Sequence, residues 1–115
     1  MPLLTLQTSV RLSNQQRYNL LAPLSQLVAE GIGKPERYVM VMVSEAAMLM
    51  AGAESSAAYV EIRSIGGLNS AVNRQLSERL CALLKEQLGI PPDRVYIGFT
   101  NVSAENWGWN GGTFG

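Results

Sequence analysis

The least ordinary chemistry in this chain lies at its head, where Pro2 directly follows Met1. Methionine is commonly removed before a small second residue, and its removal would leave Pro2 as a terminal secondary amine able to accept a proton. A free α-amino group titrates near about 8 in water, and burial or a nearby cation disfavours its charged form and lowers that value. A shift to roughly 6 suits a general base at neutral pH. At about 1.4 kcal/mol per unit, such a shift needs only about 3 kcal/mol from the surroundings. With Met1 retained, the same nitrogen is an amide and cannot serve as a base. Position alone is weak support, because proline fills about one position in twenty anywhere.

Other residues gain meaning beside that amine. Lys34 stands between Gly33 and Pro35, on a stiff turn where an ammonium can hold a substrate carboxylate; taken alone it reads more readily as an ordinary solvated lysine. Ser64-Ile65-Gly66-Gly67 lies between a strand and a helix, where free N–H groups can receive an anion, although a plain turn explains it as well. The pair lacks the spacing of a dinucleotide fingerprint. Tyr96 falls on the strand face opposite Val95 and Ile97, and Trp107, Trp109 and Phe114 can supply an aromatic wall or simply core. The chain has no His and one Cys, Cys81. Triads, an intrachain disulfide and an ordinary zinc site are therefore not expected, and no metal or other cofactor is called for.

The elements that must position these groups are written twice. Leu3 to Gln7 reads as a strand. Ser13 to Gln16 then forms a capping box before an apolar stripe of Leu20, Leu21, Leu24, Leu27 and Val28. Pro23 inside that helix predicts a bend, and Gly31 and Gly33 are read as its end. Tyr38 to Val43, apolar throughout, suits a strand buried on both faces. The order recurs with an alternating strand from Ala57 to Ser64. A helix follows whose stripe is Val72, Leu76, Leu80, Leu83, Leu84 and Leu88, stopped by Gly89, Pro91 and Pro92, and then a strand from Val95 to Asn101. Gly33 to Val39 resembles Gly89 to Val95, read with one residue inserted.

Two pseudo-symmetric βαβ halves, about 2–44 and 57–101, therefore predict an α/β domain (α+β in some schemes). It has a four-stranded sheet with both helices on one face. At 115 residues the chain is one domain, 1–115. The bare sheet face asks for a partner chain. The tail at 102–115, too aromatic for a solvated terminus, is expected to dock on a neighbouring subunit. Nine basic and nine acidic residues create no overall field for nucleic acid or an anionic membrane, so neither is expected as a partner. With no signal-peptide pattern and no span of membrane length, the expected location is cytoplasmic, with release by a route lacking a signal peptide left open.

Taken together, these residues resemble the macrophage migration inhibitory factor family of the tautomerase superfamily, nearly end to end. The resemblance is carried by Met1-Pro2, Gly33-Lys34-Pro35, Ser64-Ile65-Gly66, Asn73-Arg74, Leu80-Cys81, Pro92 to Ile97, Gly108-Trp109-Asn110 and Thr113-Phe114. It implies a homotrimer whose sheets form a central barrel, with an active site at each subunit boundary. It further implies keto–enol tautomerisation of aromatic 2-keto acids such as phenylpyruvate, without a cofactor. Pro2 would be the acid/base, Lys34 and the backbone of Ile65 would hold the acid group, and Tyr96 would come from the adjacent subunit. Ser64, Tyr38, Trp107 and Phe114 complete the implied substrate-binding set.

This chain departs from the family at three places. Gly98 stands where animal members often have Asn, and Trp107 where they have a small aliphatic residue; both bear on substrate choice, dopachrome-like compounds especially. Ala57 and Val60 replace a Cys-x-x-Cys pair, so thiol oxidoreduction is not expected. Two other readings stay open: a cytokine-like interaction protein acting through receptor surfaces with incidental catalysis, and a βαβ module that binds a small molecule without turning it over.

Overall fold

The computed structural model describes residues 1–115. Strand β1, Leu3–Thr8, leads into helix α1, Asn14–Ile32, and strand β2, Met40–Glu45; strand β3, Ala58–Ser64, then leads into helix α2, Ser70–Leu88, and strand β4, Val95–Asn101. Two short strands, β5 at Gly108–Trp109 and β6 at Gly112–Thr113, pair in the tail. The main sheet has the order β2-β1-β3-β4. Within each half the strands run parallel, as helical crossovers require, but the halves join antiparallel through β1 and β3. The sheet is therefore mixed, and the ends of β1 and β3 alternate in direction: Pro2 and Ser64 share one end, Thr8 and Ala58 the other.

Period-two alternation divides the sheet. Leu4, Leu6, Val60 and Ile62 are fully buried and share a core with Leu20, Leu24 and Val28 of α1 and Leu76, Leu80 and Leu84 of α2. The other face of β2 and β4 presents Met40, Met42 and Tyr96 to solvent within the single chain.

The helix starts follow the local chemistry. The Ser13 hydroxyl accepts from the Gln16 N–H while Gln16 accepts from the Ser13 N–H, which completes the capping box. Gly33 and Gly89 both end their helices in the left-handed region, with φ of 77° and 69°.

Several sequence expectations are corrected. Gly31 lies inside α1 rather than ending it, because Leu76 occupies the space a Cβ there would need. Tyr38 belongs to a 3₁₀ turn, Glu36–Tyr38, and β2 begins at Met40. Within the single chain β2 is an edge strand with Val41 and Val43 turned to the core and Met40 60% exposed, on the face for which a partner chain is expected. The two helix exits match residue for residue, each a left-handed glycine, one residue, a proline and a 3₁₀ turn, so no insertion separates them.

Candidate active site

The cavity lies at the end of the sheet where β1 begins. It measures about 550 Å³, within the usual range for a small-molecule site, and its walls include Met1, Pro2, Tyr38, Trp107, Trp109 and Phe114. Pro2 is buried, and its carbonyl accepts from the Met40 N–H at 3.1 Å, which ties the chain head to the edge strand. In the chain with its methionine the free amine is that of Met1. Burial first, and then the charge of Lys34, hold this amine below its ordinary value. An amine at this place is thus shifted in the direction a neutral base needs.

The aromatic wall is built by the tail upon its own chain. The Trp109 and Phe114 rings stack with centroids 5.5 Å apart, and Tyr38 meets both edge-on at 6.0 and 6.3 Å. Within the chain the tail forms a hairpin whose turn residues, Asn110 and Gly111, both take the left-handed conformation a tight turn requires. The Phe114 N–H donates to the Trp107 carbonyl and closes the loop.

Lys34 is fixed by the helix exit. Its backbone N–H and that of Gly33 both donate to the Ala29 carbonyl, Pro35 follows at φ −62°, and Nζ donates to the Ile65 carbonyl at 3.2 Å. This contact joins two sequence-predicted residues from different halves. Gly66 and Gly67 both have positive φ, 71° and 82°, which lets the Ile65 loop turn toward Lys34. One N–H of the first turn of α2 is already taken, because the Asn69 side chain accepts from the Val72 N–H at 2.9 Å. Ser64 is fully buried at the same sheet end, and its Oγ has no hydrogen-bond partner in the protein.

The predicted residues therefore fall into three groups. Pro2, Tyr38, Trp107 and Phe114 line the cavity. Lys34, Ile65 and Ser64 stand beside it, outside the lining itself. Tyr96 lies at the opposite end of the sheet, 66% exposed, in an apolar hollow with Tyr59 and Met48 to Met50.

The lining also holds two residues that the sequence reading passed over, Arg37 and Arg63. Arg37 stacks its guanidinium on the Tyr38 ring, 4.8 Å from the centroid. Arg63 pairs in register with Leu3, next to Pro2. The sequence marks Arg63 only as an outward position of an alternating strand, and the pairing with Leu3 is what brings it to the chain head. No Asp or Glu lines the cavity, so the site is cationic although the chain as a whole is neutral.

The family model for macrophage migration inhibitory factor (MIF) matches residues 1–115. Macrophage migration inhibitory factor of Meriones unguiculatus is 39% identical over 115 residues, covering 99% of each chain. The homologue from Brugia malayi is 37% identical over 116 residues and 100% of each chain. The crystal structure of the homologue from Prochlorococcus marinus superposes with a TM-score of 0.93 at 43% identity, covering 98% of this chain and 99% of that one. The chain belongs to the macrophage migration inhibitory factor family, within the tautomerase superfamily.

Proposed function

We propose that this protein is a cofactor-independent keto–enol tautomerase of aromatic 2-keto acids such as phenylpyruvate, with the Pro2 amine as general acid and base once Met1 is removed. The observation that carries this reading is the buried Pro2 at the floor of a cavity that combines an aromatic wall with cations and no carboxylate. In the forward step the Pro2 nitrogen takes a proton from the carbon next to the keto group. The C–H electrons form the enol double bond, and the resulting Pro2 ammonium gives that proton to the carbonyl oxygen, which restores the free amine. The reverse step returns a proton from the Pro2 ammonium to that carbon, so no electrons or atoms are left over. Lys34 and the Ile65 backbone hold the acid group, and Lys34 further offsets negative charge that develops on the oxygen. Ser64 lies beside that pair, Tyr38, Trp107 and Phe114 flank the substrate ring, and Tyr96 reaches the site from an adjacent subunit of a homotrimer. The trimer is supported by Met40, Met42 and Tyr96, all exposed on the single chain. A cytoplasmic location is part of the same proposal.

The test is intact-mass spectrometry and a phenylpyruvate enol-to-keto assay on one sample. Material lacking Met1 should be active, and Pro2→Gly should lower kcat/KM by about 100-fold or more, in line with the loss of a positioned acid/base. Full activity in protein that keeps Met1 on every molecule would refute the mechanism.

A second reading follows from the relatives' shared name, which describes an effect on macrophage migration. Here the chain acts through receptor surfaces. Receptor binding that survives Pro2→Gly, with no turnover detectable in wild type, would favour it.

A further inference from the structure

We propose that Arg37 and Arg63 form a second anion subsite, and that the preferred substrate is a 2-keto acid with another carboxylate at the end remote from the keto acid group. The inference rests on the tautomerase reading above and extends it to the substrate class.

Both side chains line the cavity that holds Pro2, and they reach it from different strands' ends. Arg63 pairs with Leu3 on one side of β1, and Met40 pairs with Leu3 on the other; Arg37 sits in the 3₁₀ turn just before Met40. The backbones of the two arginines therefore flank the head of β1, and both side chains take part in the lining of the cavity there. The face of Tyr38 carries Arg37, which limits its freedom before any ligand arrives.

Neither arginine is spent elsewhere. The chain's ion pairs are Arg17 with Glu45 and Arg79 with Glu30, and Arg94 is used up on four backbone carbonyls between Met50 and Ser56. The acids nearest in sequence do not neutralise the pair. Glu61, two residues from Arg63 on the same sheet face, accepts from the Tyr59 hydroxyl, and Glu36 makes no ion pair with Arg37.

Lys34 is separate from this pair, engaged at the Ile65 carbonyl beside the cavity. A monoacid held by Lys34 would leave Arg37 and Arg63, both exposed on the single chain and without an ion pair, facing an aromatic ligand with no counter-charge. A second carboxylate supplies that counter-charge, and its two oxygens match the guanidinium fork. The volume of about 550 Å³ leaves room for the added group.

The experiment compares the enols of phenylpyruvate and of 4-carboxyphenylpyruvate, which share every reacting atom and differ only in the remote anion. In wild type, kcat/KM for the diacid should exceed that for the monoacid by about tenfold, the scale of one charge-assisted hydrogen-bonded pair. In R37Q/R63Q the ratio should fall to about one or below, while the monoacid loses a smaller factor. Lys34→Gln should lower both substrates in parallel and keep the ratio.

A calorimetric titration with 3-phenylpropionate and 3-(4-carboxyphenyl)propionate asks the same question without turnover. Tighter binding of the diacid that is lost in R37Q/R63Q supports the subsite even if wild type ketonises neither enol, a result that would sink only the tautomerase reading. Equal affinity for the two ligands in wild type, or a preference that survives R37Q/R63Q, overturns the proposal.

Discussion

The two βαβ halves share one frame and differ at their corresponding ends. Each helix ends on a left-handed glycine, continues through one residue and a proline, and makes a 3₁₀ turn into a strand. In the second half the residue after the glycine is Ile90, fully buried; in the first it is Lys34, which reaches across to the Ile65 carbonyl. The 3₁₀ turns end on Tyr38 in one half and Arg94 in the other. Tyr38 joins the aromatic wall, whereas Arg94 ties down the backbone between Met50 and Ser56. Strand β3 is preceded by chain, but β1 is preceded by the chain head itself. One end of a repeated frame thus becomes a candidate site when a cation replaces a core residue.

The sharpest way to break this comparison is to make the structural end look like the candidate site. Ile90→Lys should destabilise the protein by about 4 kcal/mol, since it forfeits the burial of an Ile and forces an ammonium into apolar surroundings. Denaturant midpoints at a fixed protein concentration measure the loss. A cost under about 1 kcal/mol would mean that the two ends are interchangeable.

The converse substitution, Lys34→Ile, should leave stability within about 1 kcal/mol of wild type, because this half-buried side chain gives up one hydrogen bond to a carbonyl. It should instead lower kcat/KM for phenylpyruvate by about 10- to 100-fold, the loss expected when a charge-assisted contact to an acid group disappears. The pH profile supplies a second readout. The Met1 amine is held low by burial first and by Lys34 second, and the Pro2 amine that replaces it as the terminus is expected to feel the same ammonium, so removing Lys34 should let its value rise. The reactive form is the unprotonated amine; the acidic limb of kcat/KM should therefore move to higher pH. A limb that stays in place, or moves down, would separate Lys34 from the base.

Much of the frame was legible because its signals are local. The stripe from Leu76 to Leu84, the alternation from Ala58 to Ser64 and the glycine–proline exits each specify an element through neighbouring residues. The chain could not announce the antiparallel join of β1 to β3, which depends on pairing across a long irregular connection after β2. Tyr38 was read into the strand because an apolar run does not distinguish a 3₁₀ turn from extended backbone. Pro2, Lys34 and the tail aromatics stood out by type. Arg37 and Arg63 did not, since each looks like a solvated surface residue until β1 pairs with β2 on one side and β3 on the other and both arginines come to one cavity.

A smaller asymmetry lies where the helices of the two halves meet, and it yields the mildest prediction. Gly31 occupies the last turn of α1, where the matching position of α2 is Gln87. Leu76, fully buried, projects into the space that a Cβ on Gly31 would take. Two effects then oppose each other in Gly31→Ala. Alanine is favoured over glycine inside a helix by about 1 kcal/mol, but overpacking a filled core costs about 1–3 kcal/mol. Leu76 has the rest of the core at its back, so it cannot withdraw freely, and the steric effect should win by about 1 kcal/mol. Gln87→Ala, which faces no such contact, should change stability by no more than about 0.5 kcal/mol. If Gly31→Ala proves stabilising in denaturant unfolding, Leu76 has room to move, and the two helices meet through a looser contact than the buried leucine implies.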